Sequence, residues 1–284
     1  MPFFGDFENY EYENAKAVIL PVLLKEKYAY LKSRYHAALS ILEHSRNITH
    51  NDAELGEIYK FAKFNIAKPM RKRKKETAKE FIERVSKKIY QAYADKKFPI
   101  VLGESHLTSL ASAIATKKFH KDFTLLHFDA HPDLFNKLYG HYSCATVMRR
   151  ISELGINIVS VGIRTFELEE KKFAEENNIA WIFANDIIGS TKKSIKKILK
   201  QIKTEKVFFS IDVDVFDPSI MHSAFPEPNG INFSQFFDII KEVCRKKRVV
   251  GFDIVEHLPL SKDDYTSYFV SWLLYRISGF CLKL

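Results

Sequence analysis

Short apolar runs and longer amphipathic stretches take turns along this chain. The runs at 17–23, 98–102, 123–128, 157–162, 179–183, 206–212 and 248–254 have the length of buried strands. Segments around 28–42, 74–95, 107–117, 145–154, 167–177, 190–203, 234–246 and 264–278 read instead as helices. The clearest carries the stripe Ala78, Phe81, Ile82, Val85, Ile89 and Ala92, with charges on the opposite face. Strands alternating with helices predict an α/β fold, a parallel sheet with helices on both faces. No repeat, linker or low-complexity tract interrupts the pattern, so residues 1–284 are expected to form a single domain.

Three of the runs end in ionisable residues. Phe123–His127 leads into Phe128-Asp129-Ala130-His131-Pro132-Asp133, and Val207–Ile211 leads into Asp212-Val213-Asp214-Val215-Phe216-Asp217-Pro218. Phe98–Leu102 leads into Gly103-Glu104-Ser105-His106. The carboxyl ends of strands are where open α/β sheets bind ligands. Side chains alternate faces along a strand, so Asp212 and Asp214 are expected to point the same way, with Val213 opposite. Two like charges on a buried strand end repel and are costly to desolvate unless a cation joins them. Asp129 alone would read as a turn cap and His131 as a packed histidine; the second acidic strand end makes a cation site the better reading. His106, Asp129, His131, Asp133, Asp212 and Asp214 exceed the four donors that one zinc ion usually takes. They suit two harder divalent ions such as Mn(II).

These stretches resemble the signature motifs of the arginase/agmatinase (ureohydrolase) family. Residues 129–133 are similar to its D-A-H-x-D, residues 210–218 to its S-x-D-x-D-x-x-D-P, and Gly103–His106 to its G-G-[DE]-H. Phe225-Pro226-Glu227-Pro228-Asn229-Gly230 resembles its T-P-x-P-G-G loop, and Asp253-Ile254-Val255-Glu256 its D-[IV]-V-E segment. The likeness runs in order from about 98 to 260, with a weaker echo of archaeal agmatinases from Ser33 to Gly56. It implies a three-layer α/β/α fold around an eight-stranded, mostly parallel sheet. It also implies two Mn(II) ions, with His106 and Asp133 on one, His131 and Asp214 on the other, and Asp129 and Asp212 bridging. Glu256 would hold a substrate guanidinium, and urea would be released from a small linear guanidino substrate. Agmatine comes first, which would place the enzyme in polyamine biosynthesis. Family members commonly form homo-oligomers, trimers or hexamers.

Three departures bear on turnover. Cys144, in Tyr142-Ser143-Cys144-Ala145, stands where the family has a proton-shuttling histidine; His141 is the nearest replacement. Glu104 replaces a glycine. Lys25-Glu26-Lys27-Tyr28-Ala29-Tyr30 replaces a glycine- and threonine-rich substrate segment. The loop 134–140 is mostly apolar, with Asn136 and Cys144 as expected substrate contacts and Lys137 as the residue that would pair with a carboxylate. The alternatives are an enzyme for arginine, guanidinobutyrate or a formimino compound, and a metal-binding homologue without catalysis.

Composition adds bounds. Hydrophobic residues make up 46% of 284, enough for a large core, and no run approaches the ~20 residues that span a bilayer. Cys144, Cys244 and Cys281 are scattered and odd in number, which argues against a disulfide framework and for a cytoplasmic setting. The net charge of +9 is densest at 68–75, Lys-Pro-Met-Arg-Lys-Arg-Lys-Lys. With no recognition motif beside it, that run reads as a solvated loop and not as a nucleic-acid arm. The partner expected is a small guanidino molecule, with neither nucleic acid nor membrane.

Overall fold

A computed structural model describes residues 9–25 and 29–284. The middle of the loop at 25–30 and the expected helix start at Tyr28 lie outside the described residues. The apolar runs become strands of one sheet, joined by two short strands. In chain order these are β1 (Ala17–Leu23), β2 (Phe64–Ile66), β3 (Met70–Arg71), β4 (Phe98–Gly103), β5 (Thr124–Phe128), β6 (Asn157–Ile163), β7 (Ala180–Phe183), β8 (Lys206–Asp212) and β9 (Arg248–Val255). The spatial order is β2-β1-β4-β9-β8-β5-β6-β7, with β3 also paired to β1, and every ladder of this sheet is parallel. The sheet thus has nine strands, the seven apolar runs plus two, where the resemblance implied eight. The two beyond the runs, β2 and β3, are only three and two residues long and are separated by Ala67, Lys68 and Pro69. Met70 and Arg71 pair with Val22 and Leu23, so part of the basic run is built into the sheet edge and is not free loop.

The longer helices are α1 (Ala37–His44), α2 (Ala78–Ala94), α3 (Thr108–His120), α4 (Val147–Ser152), α5 (Leu168–Glu176), α6 (Thr191–Gln201), α7 (Phe233–Lys246) and α8 (Tyr265–Lys283). They cover both faces of the sheet, which divides the core in two. Val18, Leu20 and Val22 of β1 pack with α2 and α3, whose Phe81, Val85, Ile89 and Leu110 are buried there. Ala17, Ile19 and Leu23 point the other way, toward α1, α7 and α8.

Two helix starts fall later than the spacing predicts, for local reasons. α2 begins at Ala78 because Thr77 and Glu80 close a capping box, each side chain bonding the other's backbone N–H. α1 begins at Ala37 because Ser33 turns back on itself: its hydroxyl donates to Pro259 O and accepts Tyr35 N–H. Among the described residues no helix is long and apolar enough to cross a membrane. Cys244 and Cys281, distant in sequence, meet at the ends of α7 and α8 with their sulfurs 3.9 Å apart, both as free thiols.

Candidate metal centre

The chain enters the sheet at β1 and β4, then crosses to β5, leaving room between for β9 and β8. Such a switch in strand order opens a crevice at the strands' carboxyl ends. Six polar side chains from those ends converge there. His106 sits in the turn between β4 and α3, its imidazole wholly buried. Gly103 must be glycine: a Cβ would fall 2.8 Å from Thr108 Cβ and 2.9 Å from Val255 Cγ1. Asp129 follows β5. Asp133 adopts a left-handed φ of 53°, a conformation that costs an L-residue ~1–2 kcal/mol. Its carbonyl is held there by the N–H groups of Met148 and Arg149 at the start of α4.

Strand alternation does not carry through to Asp214. β8 ends at Asp212, whose carboxylate accepts Asp214 N–H at 2.9 Å and caps a 3-10 turn over Val213–Val215. Both carboxylates still reach the cluster, but each faces a different imidazole. His106 Nδ1 lies 2.9, 3.1 and 3.3 Å from oxygens of Asp133, Asp129 and Asp212. His131 Nδ1 lies 2.9 Å from Asp214 Oδ2 and 3.4 Å from Asp129 Oδ1. Asp129 thus offers one oxygen to each histidine.

The electrostatics are those of a site built around positive charge. Burial, then Asp214 and Asp129, push the Asp212 carboxyl well above the usual range; burial and Asp129 lift Asp214 too. Burial and Asp129 raise Asp133 to about 7. Burial alone would depress both histidines. The surrounding carboxylates outweigh it, holding His106 well above its ordinary value and His131 at about 12. Despite its three acidic neighbours, His106 Nδ1 makes no well-aligned hydrogen bond among the described residues. Donors ~2.1 Å from a common ion sit ~3 Å apart, the spacing seen around this nitrogen. The oxygen-and-imidazole donor set fits hard or borderline divalent cations.

Glu256 follows β9 with a left-handed φ of 60°. It accepts His106 N–H at 2.6 Å and lines the cleft above the cluster. The cleft encloses about 250 Å³. Phe135, Tyr139, Phe166 and Phe225 line it along with Glu167 and Glu227, and no lysine or arginine is among its described lining residues. Cys144, buried, also lines it.

Other expected contacts stand elsewhere. Asn136 is exposed outside the cleft lining, and its backbone N–H bonds Glu169. Lys137 is exposed and outside the lining as well. His141 is exposed with its ring against Arg150 Nη1 at 2.7 Å, while Thr146 Oγ1 holds its carbonyl. His141 is not among the cleft's described lining residues, whereas Cys144 is. Glu104 needs no left-handed backbone; its buried carboxylate bonds His36 Nδ1 at 2.6 Å.

Several residues at the site escape a motif reading. His127, two positions before Asp129 and so on the same face, brings Nε2 to 2.8 Å from Asp129 Oδ2. Its signal was a histidine inside an otherwise apolar strand. Arg164 donates to the carbonyls of Asp214 and Glu227 at 2.6 and 2.8 Å, and Asp217, which the 210–218 motif does include, orders the same loop by accepting Asn229 N–H and Gly230 N–H. Together they pin the 225–230 loop over the cleft.

The fold and the site define a class: a three-layer α/β/α protein with an acidic, two-imidazole cation cluster at the carboxyl edge of a parallel sheet. The profile of the arginase family matches residues 15–279, and the chain belongs to that family. It is 30% identical over 250 residues to an N(1)-aminopropylagmatine ureohydrolase of Thermus thermophilus, covering 87% of this chain and 84% of that protein. To the enzyme of the same name from Thermococcus kodakarensis it is 36% identical over 190 residues, 66% of this chain and 63% of the relative. Its structure superimposes on the agmatine ureohydrolase of Thermoplasma volcanium with a TM-score of 0.86 at 26% identity, covering 99% and 94% of the two chains.

Proposed function

We propose that this protein is a metal-dependent ureohydrolase that cleaves the guanidino C–N bond of a linear guanidino-amine, releasing urea and an amine. The observation that carries this reading is the pair of imidazole-carboxylate groups sharing Asp129 beneath a cleft with acidic and aromatic walls. In this reading His106 and Asp133 would hold one divalent cation and His131 and Asp214 the other, with Asp129 and Asp212 as shared ligands. Mn(II) suits the donors. When bound, two such cations lower the pKa of water and so supply the nucleophile.

The chain's own residues bind and orient. Glu256, its position fixed by the His106 N–H, pairs with the guanidinium by charge-assisted hydrogen bonds. The aromatic walls take the methylene chain, and Glu167 and Glu227 attract a distal ammonium group. A carboxylate-tailed substrate such as arginine or guanidinobutyrate finds no lysine or arginine among the described lining residues, with Lys137 outside them. Hydrolysis forms a C–O bond, breaks the C–N bond and leaves a proton on the departing amine. The relatives' names make agmatine and its N(1)-aminopropyl derivative the first substrates to test.

The test is urea release by Mn(II)-loaded protein on agmatine, N(1)-aminopropylagmatine, arginine, guanidinobutyrate and a formimino compound, with bound metal assayed alongside. Turnover of an amine-tailed compound, abolished by Asp129→Asn, is the expected result. Bound metal with no urea from any compound would support a non-catalytic homologue, and no bound metal would overturn the reading.

A further inference from the structure

One register step below the cluster, a row of polar side chains crosses the sheet. Ser160 on β6 pairs in register with His127 on β5, His127 with Ser210 on β8, and Ser210 with Asp253 on β9. All four are buried, and none lines the cleft. Buried polar groups need hydrogen-bond partners, and here His127 meets Ser160 while Ser210 meets Asp253. Their hydrogen bonds lead to the cluster: His127 reaches Asp129, and Ser210 reaches His106.

The proton inventory at Ser210 sets a direction. Its oxygen lies 2.9 Å from Asp253 Oδ1, 3.0 Å from Ser109 Oγ and 3.2 Å from His106 Nε2. A hydroxyl has one proton, and the carboxyl oxygen is both the nearest and the strongest acceptor of the three. Ser210 therefore donates to Asp253 and meets His106 as an acceptor. Nε2 must then carry a hydrogen, so in the neutral imidazole the lone pair falls on Nδ1, the atom that faces Asp129, Asp133 and Asp212. Ser109 also donates to Asp253 Oδ1, at 2.9 Å, but serves no ligand directly.

We propose that Asp253, acting through Ser210, is a positioning residue that fixes His106 as an Nδ1 donor to a divalent cation. This rests on the cation-binding part of the reading above and not on the substrate. The amide oxygen of asparagine at 253 is a weaker acceptor than the carboxylate, which frees the serine proton to turn toward Nε2 and would put a hydrogen where the cation should sit.

The experiment measures Mn(II) affinity and stoichiometry by calorimetry and elemental analysis for wild type, Ser210→Ala, Ser109→Ala and Asp253→Asn, with thermal unfolding of each metal-free protein. Outer partners of ligand histidines typically govern ~10–100-fold in affinity. That loss is expected at one of two sites in Ser210→Ala and Asp253→Asn, while Ser109→Ala, lacking a hydroxyl bonded to the same carboxyl, changes affinity by less than ~3-fold. Should Asp253→Asn fail to fold, the two serine variants decide. Unchanged affinity in Ser210→Ala, or an equal loss in Ser109→Ala, overturns the proposal while leaving the metal site intact. A wild-type protein that takes up no Mn(II) overturns both.

Discussion

The floor and the rim of the cleft are built on different principles. The floor residues His106, Asp129, Asp212 and Glu256 stand at the ends of four parallel strands, and the strand register fixes their separation. All are buried, and several hold one another through backbone hydrogen bonds. The rim is loop. Phe135, Tyr139 and Cys144 enter the cleft from a segment whose other members, Asn136 and His141, face solvent. In the proposed function such a floor holds cations and a cationic group above them, and the rim selects what hangs from that group.

That division gives an ordered set of expectations. Asp129→Asn removes the carboxylate shared by both imidazoles; urea release should fall by more than the ~10–100-fold typical of an outer partner, with loss of bound metal in elemental analysis. Glu256→Gln keeps the shape but removes the charge facing the guanidinium; kcat/KM should drop ~10²–10³-fold, the scale of losing one preorganised electrostatic contact. Glu227→Gln tests the rim, where this carboxylate also lies 3.7 Å from His131 Nε2: an amine-tailed substrate should show KM raised ~5-fold, because a partly exposed charge pair is worth ~1 kcal/mol. His141→Ala should leave kcat within ~2-fold, as expected of an exposed surface substitution. A large loss in His141→Ala, or a larger effect from Glu227→Gln than from Glu256→Gln, would erase the distinction between floor and rim.

The same distinction explains what the sequence made legible. Buried strands announce themselves as apolar runs, and a carboxylate at the end of such a run has few bland explanations, so the members of the cluster stood out. β2 and β3 did not, because three and two residues broken by Ala67-Lys68-Pro69 carry no periodicity. The turn at Asp214 was hidden because it depends on the Asp212 side chain and not on backbone propensity. The loop beyond Asp133 follows tertiary anchors: Leu134 N–H bonds Glu170 at 2.9 Å, and Arg150 claims the ring of His141. Neither partner lies close enough in sequence to signal which loop residues turn inward. The polar row at Ser160, His127, Ser210 and Asp253 becomes a row only once the strand order is known.

The strand order also dictates when the cleft comes into being. His106 bonds to Glu256, 150 positions further along the chain, and β4 has β9 as its inner neighbour. Synthesis delivers β4, β5 and β8 first, and domains fold as the chain emerges. Long-range parallel pairings are slow because chain entropy is lost before contacts are gained. Asp129 and Asp212 stand at the ends of neighbouring strands, β5 and β8, whereas His106 can join them only once β9 has been made and fills the gap between β4 and β8.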